Sequence, residues 1–206
     1  MVKIKICGIT NLEDAKAAVS AGCAALGFVF YKKSPRYIAP KKAQEIIRRL
    51  TKRVIKVGVF VNQEERAIKE IAGLCSLDML QFHGNESQAF CRKFRGYKVI
   101  KAFRVKDKIN SREILKYKTF AYLFDTFVPS KAGGTGRKFD WKLIERSKIN
   151  RPVFLSGGLN VKNVKQAIKA AHPQWVDVSS SVEIKPGRKD QPKVRAFIKA
   201  ARRRPD

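Results

Sequence analysis

The chain has 206 residues, 44% hydrophobic and 10% aromatic, with apolar runs from one end to the other, so it can bury a full core and is not a disordered segment. Its 45 lysines and arginines against 17 acidic residues give a formal charge of +28, a field that can attract nucleic acid, acidic lipid or a multiply anionic small molecule. No run approaches the roughly 18 consecutive apolar residues of a membrane helix, and the four cysteines (Cys7, Cys23, Cys75 and Cys91) lie far apart, which argues against a disulfide framework or a structural zinc site.

With only His83 and His172 as histidines, a histidine-rich metal centre is not expected. The opening MVKIKICGIT has neither the length nor the uninterrupted apolar core of a secretion signal, so a cytoplasmic protein without a membrane partner is expected. The basic residues are spread along the chain rather than interleaved with stacking aromatics, a pattern of solvated helix faces that predicts no specific nucleic-acid partner. Nothing distinguishes a monomer from a homodimer.

Strand and helix signals then alternate in chain order. Lys3 to Cys7 predicts a first strand. Thr10 with Glu13 has the spacing of a capping box for a helix over Leu12 to Ala21, whose inner face is Ala15, Ala18 and Val19 and whose stop is Gly22. Ala24 to Phe30 and Ile55 to Val61 read as strands apolar throughout, the composition of parallel strands buried on both faces. A helix over Pro40 to Leu50 lies between them and another over Gln63 to Leu74 follows. The strands Leu77 to Gln81, Lys98 to Ala102 and Ala121 to Asp125 come next, with helices over Glu86 to Phe94, Ser111 to Tyr117 and Trp141 to Ser147. Pro152 to Leu155 and Trp175 to Val178 complete the strands. Asn160 is placed to cap a helix over Val161 to Ala171 with Val161, Val164, Ala167 and Ile168 inward, and a last helix spans Lys189 to Arg203.

Eight strand-then-helix units predict an α/β fold, a single (β/α)₈ TIM barrel over residues 1–206, although periodicity alone leaves an open doubly wound sheet possible. Such barrels gather catalytic groups at the C-terminal ends of their strands. Cys7 ends the first strand, Gln81 and His83 follow the fourth, Asp125 ends the sixth, Ser156, Gly157 and Gly158 the seventh, and Ser179, Ser180 and Ser181 the eighth. A lone cysteine between apolar residues is ordinarily a small core residue. Asp125, after the apolar AYLF, has an environment that raises a carboxyl pKa towards proton donation, but a cap or ion-pair role fits it equally. Gly157-Gly158 before a helix can offer backbone N–H groups to a phosphate, and the serines after the next strand favour that reading over a plain tight turn. Arg36, in the loop after the second strand, has the guanidinium geometry to hold a carboxylate. Gly133-Gly134-x-Gly136 follows the sixth strand without the layout of a dinucleotide fingerprint or a Walker loop, so it argues for a loop over a small substrate rather than NAD or ATP. Gly134, with Lys131 and Arg137 beside it, is a candidate contact there.

The ordered stretches KICGIT, LGFVFYKKSPRYI, VGVFVN, QFHGNE, KAFRV, FDT, GGTGRKFDW, LSGGLNVKNV and VDVSSSVEIKPGRKD cover almost the whole chain, and together they resemble the phosphoribosylanthranilate isomerase family of tryptophan biosynthesis. The resemblance implies a (β/α)₈ barrel that converts N-(5-phosphoribosyl)anthranilate to 1-(2-carboxyphenylamino)-1-deoxyribulose 5-phosphate by an Amadori rearrangement, with no metal or organic cofactor. It implies Asp125 as the general acid on the furanose oxygen, Cys7 as the general base at ribose C2 and Arg36 as the holder of the anthranilate carboxylate. The phosphate falls to Gly157, Gly158, Ser179 and Ser180; Asp177 is a weaker candidate for sugar contact or local organisation, and His83 lines or supports the mouth. Cys7 is expected to feel a positive field that stabilises its thiolate. The family's usual SSGVE is SSSVE here, and Ser181 weakens the phosphate site if that position needs a glycine's backbone angles. Ala25, where an acid is common, and Phe82, where leucine is common, are further departures. Two other readings compete: another sugar-phosphate barrel enzyme, and a basic barrel that binds a polyanion.

Overall fold

Eight runs rich in β-branched and aromatic residues pair in parallel and close on themselves. The strands are β1 (Lys3–Cys7), β2 (Ala25–Val29), β3 (Ile55–Phe60), β4 (Met79–Phe82), β5 (Lys98–Arg104), β6 (Ala121–Asp125), β7 (Val153–Ser156) and β8 (Trp175–Val178). Their order round the barrel is the chain order, and β8 returns to pair with β1, where Lys5 stands opposite Asp177. This computed structural model describes residues 1–51, 53–105, 108–125, 140–147 and 149–202. Gly134 and its neighbours Lys131 and Arg137 lie outside the described residues.

The helices among the described residues are α1 (Leu12–Ser20), α2 (Pro40–Arg48), α3 (Glu65–Leu74), α4 (Gln88–Arg92), α5 (Ser111–Leu115), α6 (Lys142–Arg146), α7 (Val164–Ala171) and α8 (Gln191–Arg202). Closure makes two apolar layers. Ala25, Val57, Met79, Ile100, Leu123 and Phe154 are among those filling the barrel, where Phe154 stacks on Trp175 at 4.7 Å. Ile4, Leu26, Phe28, Phe60, Tyr122 and Val176 belong to the larger layer between barrel and helices. A strand in that position meets apolar atoms on both sides, which is why β2 is buried at every residue.

Several boundaries differ from the sequence expectation for local reasons. The cap of α1 is Asn11, whose side chain accepts from Asp14 N at 2.8 Å; the Thr10 hydroxyl instead donates to the Gly187 carbonyl. The stop at Gly22 is as expected: its N–H reaches Val19 O at 2.9 Å, Cys23 N reaches Ala18 O at 3.1 Å, and its φ of 96° requires glycine. Before α7, Asn160 Oδ1 accepts from Lys162 N and Asn163 N, so residues 161–163 form a turn and Val161 is exposed rather than inward. Lys189 is not helical. It belongs to a hairpin, β9 (Glu183–Lys185) with β10 (Arg188–Lys189), that precedes α8.

No described helix is long and apolar enough to cross a membrane. At the N-terminal end of the barrel a cavity of about 570 Å³ has Arg92, Arg95, Lys118 and Arg151 in its lining, so part of the basic excess lies away from the strand ends described next.

Candidate active site

Side chains alternate across a strand, so Lys5 and Cys7 both face into the barrel from β1, and Asp125 shares the inward face of Ala121 and Leu123 on β6. Cys7 is 9% exposed and packs with Val29 and Val59 at the C-terminal end of the barrel. Burial pushes its thiol above the ordinary value; the Lys5 and Lys189 ammonium groups oppose that push and Asp177 adds to it. The positive field expected for Cys7 therefore exists, supplied by two lysines that did not stand out in the sequence. Burial outweighs it, so the net shift is upward.

Lys5 is fully buried, with Nζ 2.9 Å from Asp177 Oδ1. Burial works against the ammonium, yet Asp177 and Cys7 together hold its pKa above the usual lysine value. Asp177 is itself buried and engaged in this ion pair.

Asp125 is partly exposed rather than deeply buried, and its Oδ2 lies 3.3 Å from His83 Nε2. His83 Nδ1 in turn lies 2.9 Å from Gln81 Nε2, and Gln81 is buried. With the amide nitrogen donating to Nδ1, the neutral imidazole carries its proton on Nε2 and presents it to Asp125. Gln81, buried on β4, thus orients the ring towards Asp125. The loop that carries His83 is held by Glu86, which accepts from Asn62 N at 2.8 Å and Gly84 N at 3.0 Å and pairs with the buried Lys101 at 2.9 Å.

Arg36 crosses over Gly8, where a Cβ would come within 2.6 Å of Arg36 Cδ. Gly8 also has a φ of 80°, so close approach and backbone geometry both require glycine. The guanidinium is already bidentate: Nε and Nη2 donate to the Glu183 carboxylate, Nη2 at 2.6 Å. Glu183 also takes Lys189 Nζ at 2.8 Å, and Lys189 donates to the Cys7 carbonyl at 2.6 Å. Burial opposes the charge on Glu183, but Arg36 and Lys189 hold its carboxyl below the ordinary glutamate range. The hairpin thereby ties Arg36 to the end of β1.

At the last two strands, Gly157 and Gly158 have φ of 90° and 66°, and α7 begins only after the turn. The expected helix start directly behind the glycines is absent; Asn163 Nδ2 instead donates to Gly158 O at 2.9 Å and shapes the loop. Beyond β8, Ser180–Val182 form a 3₁₀ turn, the kind of short extra helix that barrels use for phosphate. Ser179 Oγ donates to the Cys7 carbonyl at 3.0 Å, and Ser180 is exposed. Ser181 does not have a positive φ, and its Oγ donates to Leu159 O at 2.5 Å, so it ties the two loops together without backbone strain.

A family model described as N-(5'-phosphoribosyl)anthranilate (PRA) isomerase matches residues 4–200. The N-(5'-phosphoribosyl)anthranilate isomerase of Geobacter sp. (strain M21) is 49% identical over 203 residues, 98% of this chain and 99% of that protein. The same-named protein of Desulforudis audaxviator is 52% identical over 205 residues, 98% of each. The crystal structure of phosphoribosyl anthranilate isomerase from Thermotoga maritima superposes with a TM-score of 0.90 at 47% identity, covering 98% of both chains. With matches across nearly its whole length, the chain belongs to the N-(5'-phosphoribosyl)anthranilate isomerase family.

Proposed function

We infer that the chain rearranges N-(5-phosphoribosyl)anthranilate to 1-(2-carboxyphenylamino)-1-deoxyribulose 5-phosphate, with Asp125 as acid and Cys7 as base. The observation that carries the roles is that both project from strand ends into one barrel mouth, three strands apart round the ring, so a sugar lying between them meets each on a different side. The solved relative bound to reduced 1-(o-carboxyphenylamino)-1-deoxyribulose 5-phosphate, 45% identical with a TM-score of 0.88, supports the substrate class.

Asp125 gives its proton to the ring oxygen as the C1–O bond breaks, and the anilino nitrogen lone pair forms the C=N bond of a Schiff base. The resulting carboxylate keeps the His83 Nε2–H bond. The Cys7 thiolate then takes the C2 proton; the C–H electrons form C1=C2, and the C=N electrons return to nitrogen. The enolamine becomes the ketone as C1 takes up a proton and the C2 hydroxyl releases its own to solvent, the O–H electrons forming C=O while the C1=C2 electrons form the new C1–H bond. The free side of the Arg36 guanidinium takes the anthranilate carboxylate, while Glu183 holds the other side. Backbone groups of Gly157, Gly158, Ser179 and Ser180 take the phosphate, and Gly134 belongs to the loop assigned to cover the substrate. The same reading makes the chain a cytoplasmic monomer or homodimer.

Incubating the purified chain with the anthranilate ribonucleotide should extinguish the substrate's fluorescence as the ketose phosphate forms in stoichiometric amount. No conversion, together with salt-sensitive stoichiometric RNA or DNA binding, would instead favour the polyanion reading. Ser181→Ala removes one neutral hydrogen bond and should cost about 1 kcal/mol of stability. It should also raise KM a few-fold with kcat nearly unchanged, as read from melting curves and steady-state kinetics.

A further inference from the structure

We propose that Lys5 is the buried counter-cation of the Cys7 thiolate, a positioning residue whose ammonium Asp177 fixes beside the sulfur. This rests on Cys7 being the base.

Three observations bring the groups together. Lys5 and Cys7 are two residues apart on β1 and face the barrel interior together. Their neighbour on β2 is Gly27, the register partner of Cys7, and a Cβ there would stand 2.6 Å from Cys7 Sγ and 3.1 Å from Lys5 Nζ. The missing side chain leaves one space that the thiol and the ammonium share. Across β8, Asp177 holds Nζ at 2.9 Å.

A fold has little use for such a pair as mere filling. Nearby interior positions carry Ala25, Val57, Met79 and Ile100, and a buried ion pair is often no more stabilising than apolar side chains of similar volume. A cation beside a nucleophile or base has a chemical use, because a buried thiolate needs a neighbouring positive charge. The charged groups that face the thiol are Lys5 from its own strand, Asp177 from β8 and Lys189 from β10, while β2 presents the uncharged Gly27 and Val29. Lys189 spends its bonds on the Cys7 and Ser179 carbonyls and on Glu183, which leaves Lys5 as the cation beside the sulfur. Asp177 has two opposed effects: it anchors the ammonium, and its own charge disfavours the thiolate.

The two partners therefore predict shifts of opposite sign. The rate of Cys7 alkylation by iodoacetamide, followed by peptide mass as a function of pH, reports the thiolate without requiring turnover. Lys5→Met should move that curve up by ~1 pH unit or more, a roughly tenfold slower reaction near neutrality, and Lys5→Arg should restore most of the loss. Asp177→Asn, which keeps an acceptor beside Nζ but drops its charge, should move the curve down. The thiolate-dependent limb of kcat/KM should follow in each case. A curve unmoved in Lys5→Met, or moved up in both variants, overturns the proposal. Should Lys5→Met fail to fold, Asp177→Asn decides alone: no shift, or an upward one, is fatal. A Cys7→Ala variant with normal turnover would instead sink the base assignment and leave the alkylation result standing.

Discussion

Asp125→Asn is expected to lower kcat by about 10²–10⁴-fold, the usual contribution of one positioned acid or base. Asparagine matches the volume of aspartic acid and still accepts from His83 Nε2, so the loop geometry and the melting temperature should hold. What disappears is the proton that the ring oxygen needs as its bond to C1 breaks. Cys7→Ala should cost a similar factor by a different route, because the C2 proton then has no acceptor in place. Cys7→Ser should be nearly as poor, since a hydroxyl is far harder to ionise than a thiol. KM should change little in all three if the carboxylate and phosphate contacts lie elsewhere. Steady-state kinetics with circular dichroism on each variant checks this, and turnover close to wild type in either Asp125→Asn or Cys7→Ala would remove that residue from its role.

Glu86→Ala should destabilise the protein by about 3–5 kcal/mol, the usual penalty for breaking a buried ion pair by removing one partner. That is a large share of the roughly 5–15 kcal/mol total of a typical domain. The substitution strands the Lys101 ammonium, nearly inaccessible to water, with the Phe82 and Gly84 carbonyl oxygens and the Phe103 ring but no counter-charge in contact among the described residues. It also orphans the N–H groups of Asn62 and Gly84. Glu86→Gln should cost less, because an amide oxygen can still accept from those backbone groups. Urea unfolding gives the comparison. Since Glu86 shapes the loop that carries His83, a surviving fraction of folded Glu86→Ala should also turn over more slowly. Equal stability of the alanine and glutamine variants would mean that the bonds to Asn62 and Gly84 contribute little, and an alanine variant as stable as wild type would mean that the buried pair contributes little as well.

The order and number of the barrel strands were legible in the sequence because each parallel strand had to be apolar on both faces, and five-residue runs such as ALGFV leave little else to be. Helix ends were less legible. Thr10 and Asn11 both suit a cap, and the choice fell to Asn11 because the Thr10 hydroxyl is drawn to Gly187, a residue 177 positions away. The hairpin that carries Glu183 and Lys189 had no alternating apolar pattern to announce it, since it lies over the barrel end and packs polar groups.

Cys7 and Asp125 stood at strand ends by position alone, but a strand end is shared by many residues that do nothing chemical. The ordered family stretches gave them roles. Lys5 shows what a linear reading can miss. In K-I-K-I-C the alternation puts it on the face of Cys7, yet a lysine near a chain start reads as a solvated charge until the barrel closes. Closure sets β8 against β1, Asp177 comes within 2.9 Å, and Gly27 leaves the room. Local pattern therefore determined the elements, their order and the residues at the mouth, because periodicity and strand ends are properties of short stretches. The pairing of Lys5 with Asp177, Arg36 with Glu183, and Gln81 through His83 to Asp125 was decided by the tertiary structure alone. Only a closed barrel excludes water and brings these side chains, as far as 172 residues apart in the case of Lys5 and Asp177, within hydrogen-bonding distance.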